Sequence, residues 1–337
     1  MEQLWRDFGA ALDDSGLRSS WAPGRDGQSW DMVGEIEGVA VVIELRATVG
    51  TTSVSSIGEG EPAAYRVVVS HRVSSAAREA LAQRDIGFYD GQGHLRLWHR
   101  PLMVDTRVAA TGTGEGRPQL ARFNVPSMLD VALAALDGLA TTGVRAAAAR
   151  IGRSPGTVSK HLAALRRSSL ISERSEPTIP DLFEAVLDVW RPRRVPLAEL
   201  PRPGAGPVNQ RLQLGFEEPG GPGWTLASAS AAAAWGAPVA ITGDAPPDFY
   251  VPNEGTLRQA RTLLGDADFG RHACTVAVGP ASFVCRNRYD RSGVSNDPFL
   301  APSAVVAALD LAADPARGRE TLDLWSRNLL PEVNRVW

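Results

Sequence analysis

Four consecutive residues, Gly152-Arg153-Ser154-Pro155, constrain the folding of this chain more than any others. They close one helical segment and open the next. The stretch 141–152 (TTGVRAAAARIG) reads as a short helix capped by Thr141 or Thr142 and ended by Gly152, because glycine accepts the left-handed backbone of a helix end. Ser154 then offers a side-chain acceptor to the orphan amides of a new helix, and Pro155 starts it at the one position where a missing N–H costs nothing. Val158, Leu162 and Leu165 form the buried stripe of this second helix, which leaves Gly156, Thr157, Ser159, Lys160 and Ala163 outward. Upstream, Met128, Val131, Leu133, Leu136 and Leu139 recur near helical spacing, with Gly138 weakening the end. Ala148, Gly152 and Val158 keep helix-turn-helix spacing: a small residue where helices cross, a turn glycine four residues on, and an apolar residue six beyond it.

Charge sets the same region apart. The 337 residues carry a formal net charge of -3, but residues 106–203 hold 14 basic against 9 acidic side chains. Residues 1–105 hold 10 against 15, and residues 204–337 hold 11 against 14. A basic middle between acidic flanks fits a nucleic-acid-binding module inside a larger protein. Of the 35 basic residues only Lys160 is lysine, so arginine at any one position reflects coding bias as much as chemistry. Gly- or Pro-rich linkers are expected at 111–119 and 191–207.

The stretch His161-Leu162-Ala163-Ala164-Leu165 through Leu170-Ile171 resembles the end of the winged-helix domains of MarR- and IclR-type regulators, with Ser169 where those families carry glycine. That resemblance implies a wing at 172–180 and a recognition helix that enters the major groove by its N-terminus. Thr157 and Lys160 are then the candidates for base edges, with Ser154, Gly156 and Ser159 on the same surface. Arg153, Arg166 and Arg167 would meet phosphates and make affinity fall with salt. His161 is expected to pack under the helix or rim it. A helix over 180–190 presents Leu182, Phe183, Val186 and Val189 as a core or dimer stripe. The competing structural explanation is a three-helix packing unit that never touches DNA.

Residues 1–105 alternate helix and strand signals: a helix near 4–12, strands near 30–36, 39–47 and 65–71, a helix at 74–84, and a strand pair at 88–89 and 94–98. Within Val39–Arg46, period 2 puts Glu44 and Arg46 on one face, 13 and 15 residues after Asp31. Asp31…Glu44-Leu45-Arg46 resembles the PD-(D/E)XK nuclease signature, with Arg46 in place of the lysine and Trp30 in place of the proline. In that family two carboxylates hold a divalent metal that activates water, so Mg²⁺ or Mn²⁺ on Asp31 and Glu44 is implied only if cleavage is retained. The plainer explanation is a strand face carrying an Arg–Glu pair. The stretch 68–97 is also similar to regulators that fuse this fold to a winged helix.

After residue 205 an Ala-rich helix, a strand, a helix at 257–264, two strands within CTVAVGPASFVC (274–285) and two helices joined at Asp314-Pro315 are expected. This order resembles the C-terminal domain of AbiEi-type antitoxins of type IV toxin–antitoxin systems, which is related to nucleotidyltransferases without implying catalysis. Asp266-Ala267-Asp268 has metal-carboxylate spacing but sits at a helix end, and Gly243-Asp244 and Asp248 sit in a Pro-rich turn. Cys274 and Cys285 read as small buried residues. The histidines at 71, 94, 99 and 272 keep no metal-ligand spacing.

The expected fold class is α+β multidomain: a restriction-endonuclease-like α/β domain at 1–105, a central winged helix at 120–192, and a nucleotidyltransferase-like α/β domain at 205–337. The expected function is a non-enzymatic, sequence-specific transcription regulator, cytoplasmic, cofactor-free and dimeric on palindromic double-stranded DNA. One alternative is a metal-dependent endonuclease of a defence system, targeted by the winged helix. Another is an antitoxin-like protein that binds a toxin-like partner and its own promoter. No run of 18 or more apolar residues suggests a membrane partner, and the acidic N-terminus lacks the pattern of a secretory signal.

Overall fold

The structure, a computed structural model, describes residues 2–24, 31–50, 54–57, 64–91, 93–108, 123–168, 170–203, 207–216, 221–240, 245–294 and 297–337. Over these residues the chain is an α+β protein that divides into two compact units. The described residues of 1–121, 164–172 and 178–188 form the first, and those of 122–163, 173–177 and 189–337 the second. Among the described residues, no helix is long and apolar enough to cross a membrane. The stretch 111–119, Trp30, Ser169, Gly243 and Asp244 lie outside the described residues.

The first unit opens with helix α1 (Glu2–Asp14), followed by strands β1 (Ser19–Pro23), β2 (Met32–Ile36), β3 (Val39–Val49) and β4 (Tyr65–Val73). Helix α2 (Ser75–Gln83), capped by Ser74 on the Ala77 amide, leads to β5 (Gly87–Asp90), β6 (His94–His99) and β7 (Leu102–Arg107). The strands form one sheet in chain order. β3, β4 and β5 run parallel in the middle, and the outer pairs are antiparallel. The near-continuous apolar runs of β3 and β4 fit strands covered on both faces. Leu4, Phe8 and Leu12 of α1 pack over Val41, Ile43, Val67, Val69 and Tyr89 on one face. Ala77 and Leu81 of α2 pack over Val68 and Phe88 on the other. Each buried Val, Leu, Ile or Phe among them contributes roughly 1.5–3 kcal/mol. The edges β1 and β7 lie outside the sequence expectations because both are short and largely exposed. Pro23 fits the outer strand, where no ladder amide is needed.

The helical segment comprises α3 (Pro126–Leu136), a 3₁₀ turn (Leu139–Thr142), α4 (Val144–Ile151), α5 (Pro155–Arg167) and α6 (Asp181–Leu187). The expected threonine cap of α4 is replaced by Gly143 at φ +106°. Both threonine hydroxyls are engaged in the preceding turn, Thr141 donating to the Gly138 carbonyl and Thr142 to that of Leu139, each at 2.7 Å. No β-strand forms across the expected wing. The Thr178 amide bonds the Leu170 carbonyl at 2.9 Å, and Ser175 turns the chain at φ +65°. Leu182, Phe183 and Val186 of α6 are buried, whereas Val189 lies beyond the helix and is exposed.

The second unit continues with β8 (Val195–Leu197), α7 (Pro207–Leu212), β9 (Thr225–Leu226), α8 (Ser228–Ala234), β10 (Asp248–Val251), α9 (Glu254–Leu264) and β11 (Cys274–Val278). Then come α10 (Ser282–Arg286), β12 (Arg288–Tyr289), β13 (Ala301–Pro302), α11 (Ala304–Ala312) and α12 (Gly318–Trp325). One sheet has the order β8-β11-β10-β9, with β10 and β11 parallel across α9. β8 falls in the stretch expected as a linker. Its Pro196 hides the strand pattern, and an outer strand tolerates it. Of the two strands expected in 274–285 only the first forms. Ser282–Arg286 is helical, a short apolar run that periodicity alone cannot assign.

Candidate nucleic-acid interface

The connection between α4 and α5 has the geometry its residues dictate. Gly152 caps α4 at φ +67°, ψ 37°, a conformation that strains any residue with a Cβ. The Ser154 hydroxyl accepts the Thr157 amide at 3.2 Å and lies 2.9 Å from the Thr157 hydroxyl, so it caps α5 as its position implies. Val158, Leu162 and Leu165 are buried. Gly156, Ser159, Lys160 and Arg167 are exposed, while Thr157, Ala163 and Arg166 are half-buried. The first two turns of α5 therefore present a small, polar, singly charged surface to solvent. With its hydroxyl tied to Ser154, Thr157 is less available to a base than Lys160 or Ser159.

Arg153 is held differently from the phosphate contact expected of it. Its Nε and Nη2 each lie 2.6 Å from Asp130 Oδ2, slightly shorter than the usual charge-assisted N–H···O bond. Asp130 is fully buried in α3 and also accepts the Phe283 amide at 2.7 Å and the Ser282 hydroxyl at 3.0 Å. One carboxylate thus ties α3, the turn before α5 and the start of α10. The Arg286 guanidinium covers Gly152: a Cβ there would come within 2.8 Å of it. His161 bonds the Ser127 hydroxyl at 2.8 Å. Burial, and then the charges of Lys160 and Arg153, hold its imidazole below the usual range, so it is neutral at pH 7.

A second tie lies at the other end of α3. Asp137 accepts from the Ser303 hydroxyl that caps α11, and its Oδ2 is 3.4 Å from the Tyr289 hydroxyl. Burial raises this carboxyl to about 6, against the hydrogen bonds from Ser303 and Tyr289 and the charge of Arg150.

In the first unit, Glu44 is 2 % exposed and both its oxygens are engaged: Oε2 with Arg46 at 2.9 Å and Oε1 with Arg66 of β4 at 3.1 Å. Asp31 Oδ2 accepts the Leu45 amide at 2.7 Å. A divalent cation on Asp31 and Glu44 would have to displace two guanidiniums from one carboxylate, so these residues do not fit a metal. Among the described residues, no group of three or more His, Cys, Asp or Glu side chains is arranged to hold one. Asp266 is exposed and paired with Arg261 at 2.7 Å, and Asp248 accepts from Thr275. Burial pushes the Cys274 and Cys285 thiols up to about 12 each, which leaves them unreactive at neutral pH.

Asp130, Arg66 and Asp310 fall outside the motifs read from the sequence. A signal for two of them exists: Asp130 and Asp310 are the only charged residues in otherwise apolar helices, where an acid persists only if partnered. No protein family, curated protein or solved structure matches the chain.

Proposed function

We propose that the chain is a sequence-specific DNA-binding transcription regulator that reads double-stranded DNA with α5. The observation that carries this is the α4–Gly152–α5 unit. Its turn is fixed by a left-handed glycine and a serine cap, and Gly156, Ser159 and Lys160 stand exposed on the leading turns of α5. Small residues there let the helix approach a groove, and a hydroxyl and an ammonium group can pair with base acceptors. Arg167 and Arg166, on the last turn of the same helix, are the candidates for phosphates. A palindromic site bound by a homodimer follows from the same reading, because symmetric half-sites suit a helix-turn-helix pair.

No specific observation favours the endonuclease or the antitoxin-like reading. The pairing of Glu44 with Arg46 and Arg66 supports a structural role for that carboxylate. The test is a gel shift of purified protein on labelled genomic fragments, including its own upstream region, at about 150 mM salt, with and without Mg²⁺. A specific shift with intact DNA supports the regulator. Cutting on a denaturing gel that needs the metal and vanishes in Glu44→Ala would replace it with the nuclease. Neither shift nor cutting would make the helix-turn-helix a protein adaptor.

A further inference from the structure

Helix α10 carries one charged side chain, and it lies against the turn between α4 and α5. Phe283, Val284 and Cys285 are buried and fasten the helix, while Arg286 at its end is half-buried. The start of α10 is held by Asp130 of α3, which accepts the Phe283 amide at 2.7 Å and the Ser282 hydroxyl at 3.0 Å. A Cβ at Gly152 would stand 2.8 Å from the guanidinium carbon of Arg286, 2.9 Å from Nε and 3.2 Å from Nη1. The bare glycine is what lets this side chain rest on the turn.

That charge has no counterion. Among the described residues, nothing accepts a hydrogen bond from the Arg286 guanidinium or forms an ion pair with it. The helices on either side of the turn supply none. From Gly138 to Ala163 the sequence holds no Asp or Glu, while Arg145, Arg150, Arg153 and Lys160 all fall within it. Asp130, the carboxylate that reaches the turn, is buried and already engaged by Arg153. A half-buried guanidinium keeps only part of its hydration, and an oxyanion arriving from solvent compensates it.

We infer that Arg286 is a phosphate-binding residue of the DNA interface, supplied by a helix outside the helix-turn-helix. The inference rests on the reading of α5 as the DNA-binding helix. With α5 entering a major groove by its N-terminus, the helix before it crosses the backbone, and the turn joining them lies close to phosphates. A guanidinium at that turn meets a phosphate oxygen and carries no sequence information. It adds affinity and salt dependence to every duplex alike.

Fluorescence anisotropy of the full chain tests it, on a site selected from random duplexes and on a scrambled duplex, between about 50 and 200 mM salt. Arg286→Gln keeps the side-chain stem and removes the charge, whereas Arg286→Lys keeps the charge. Arg286→Gln is expected to weaken binding to both duplexes by roughly tenfold. It should also reduce the slope of log affinity against log salt by about one. Arg286→Lys should retain the wild-type slope. Both variants should keep the wild-type circular dichroism, since the guanidinium holds no partner in the fold. Wild-type affinity and slope in Arg286→Gln overturn the inference and leave the reading of α5 standing. A loss confined to the selected site with the slope unchanged does the same, as does an Arg286→Gln chain that fails to fold. If wild type binds neither duplex, the reading of α5 falls and the inference with it.

Discussion

Replacing Asp130 with alanine should loosen the second unit more than any surface change, and its size can be worked from the contacts. The buried Phe283 amide would lose its acceptor, at a cost of about 1–3 kcal/mol. The charged bond from Arg153 contributes roughly 1.5–3 kcal/mol at full burial. Arg153 is 32 % exposed and can turn to water, so the lower end of that range applies. Ser282 keeps an alternative, because its hydroxyl already lies 3.3 Å from the Ile151 carbonyl. The net loss is about 3 kcal/mol, which for a unit of this size lowers the melting temperature by roughly 6–12 °C. A double-mutant cycle separates the pair from general damage. Once Asp130→Ala is present, Arg153→Ala should add less than about 0.5 kcal/mol, since its partner is gone. Calorimetry of the four proteins reads both quantities. An Asp130→Ala protein melting within about 2 °C of wild type, or a double variant losing the sum of the singles, would refute the shared-carboxylate reasoning.

Four further outcomes are expected. Gly152→Ala should destabilise by about 1–2 kcal/mol, read in a urea melt, because φ +67° disfavours a Cβ that would also meet Arg286. Asp137 has a carboxyl raised to about 6 in the folded chain against 3.8 ordinarily, so the folded state binds the extra proton. Its contribution therefore falls as pH rises from about 3.8 to 6 and is flat above; Asp137→Asn should abolish that slope in melts across the same window. Glu44→Ala removes the carboxylate that Arg46 and Arg66 share and should cost about 3–5 kcal/mol by the rule for broken buried pairs. Glu44→Ala should leave the affinity of the folded protein for DNA unchanged in a gel shift.

What the sequence disclosed depended on how local the deciding interaction was. Gly152, Ser154 and Pro155 act on their immediate neighbours, and the turn formed where they stand. The β3 strand and the Glu44–Arg46 pair follow from period 2 alone. The partner that decides what Glu44 does, Arg66, is supplied by a strand 22 residues on, and no spacing rule links them. Arg153 looked outward by its place in the turn, yet a buried acid 23 residues earlier holds it. The edges β1 and β7 carry little sequence signal, because short strands exposed at most positions bury too few side chains for an alternation to show. α10 reads equally as a strand, because five apolar-rich residues are too few to carry a period.

The central claim is that the leading turns of α5 read bases, and Lys160 tests it most directly. A preferred site would first be selected from random duplexes with the wild-type protein. Affinities for that site and for a scrambled duplex would then be measured at about 150 mM salt for wild type and Lys160→Ala. Wild type should favour its site by roughly 10³-fold or more. Lys160→Ala should lose about 1–3 kcal/mol on that site, with little change on the scrambled duplex. Equal affinity of wild type for both duplexes, or a full preference retained by Lys160→Ala, would contradict the assignment of α5 as the reading helix.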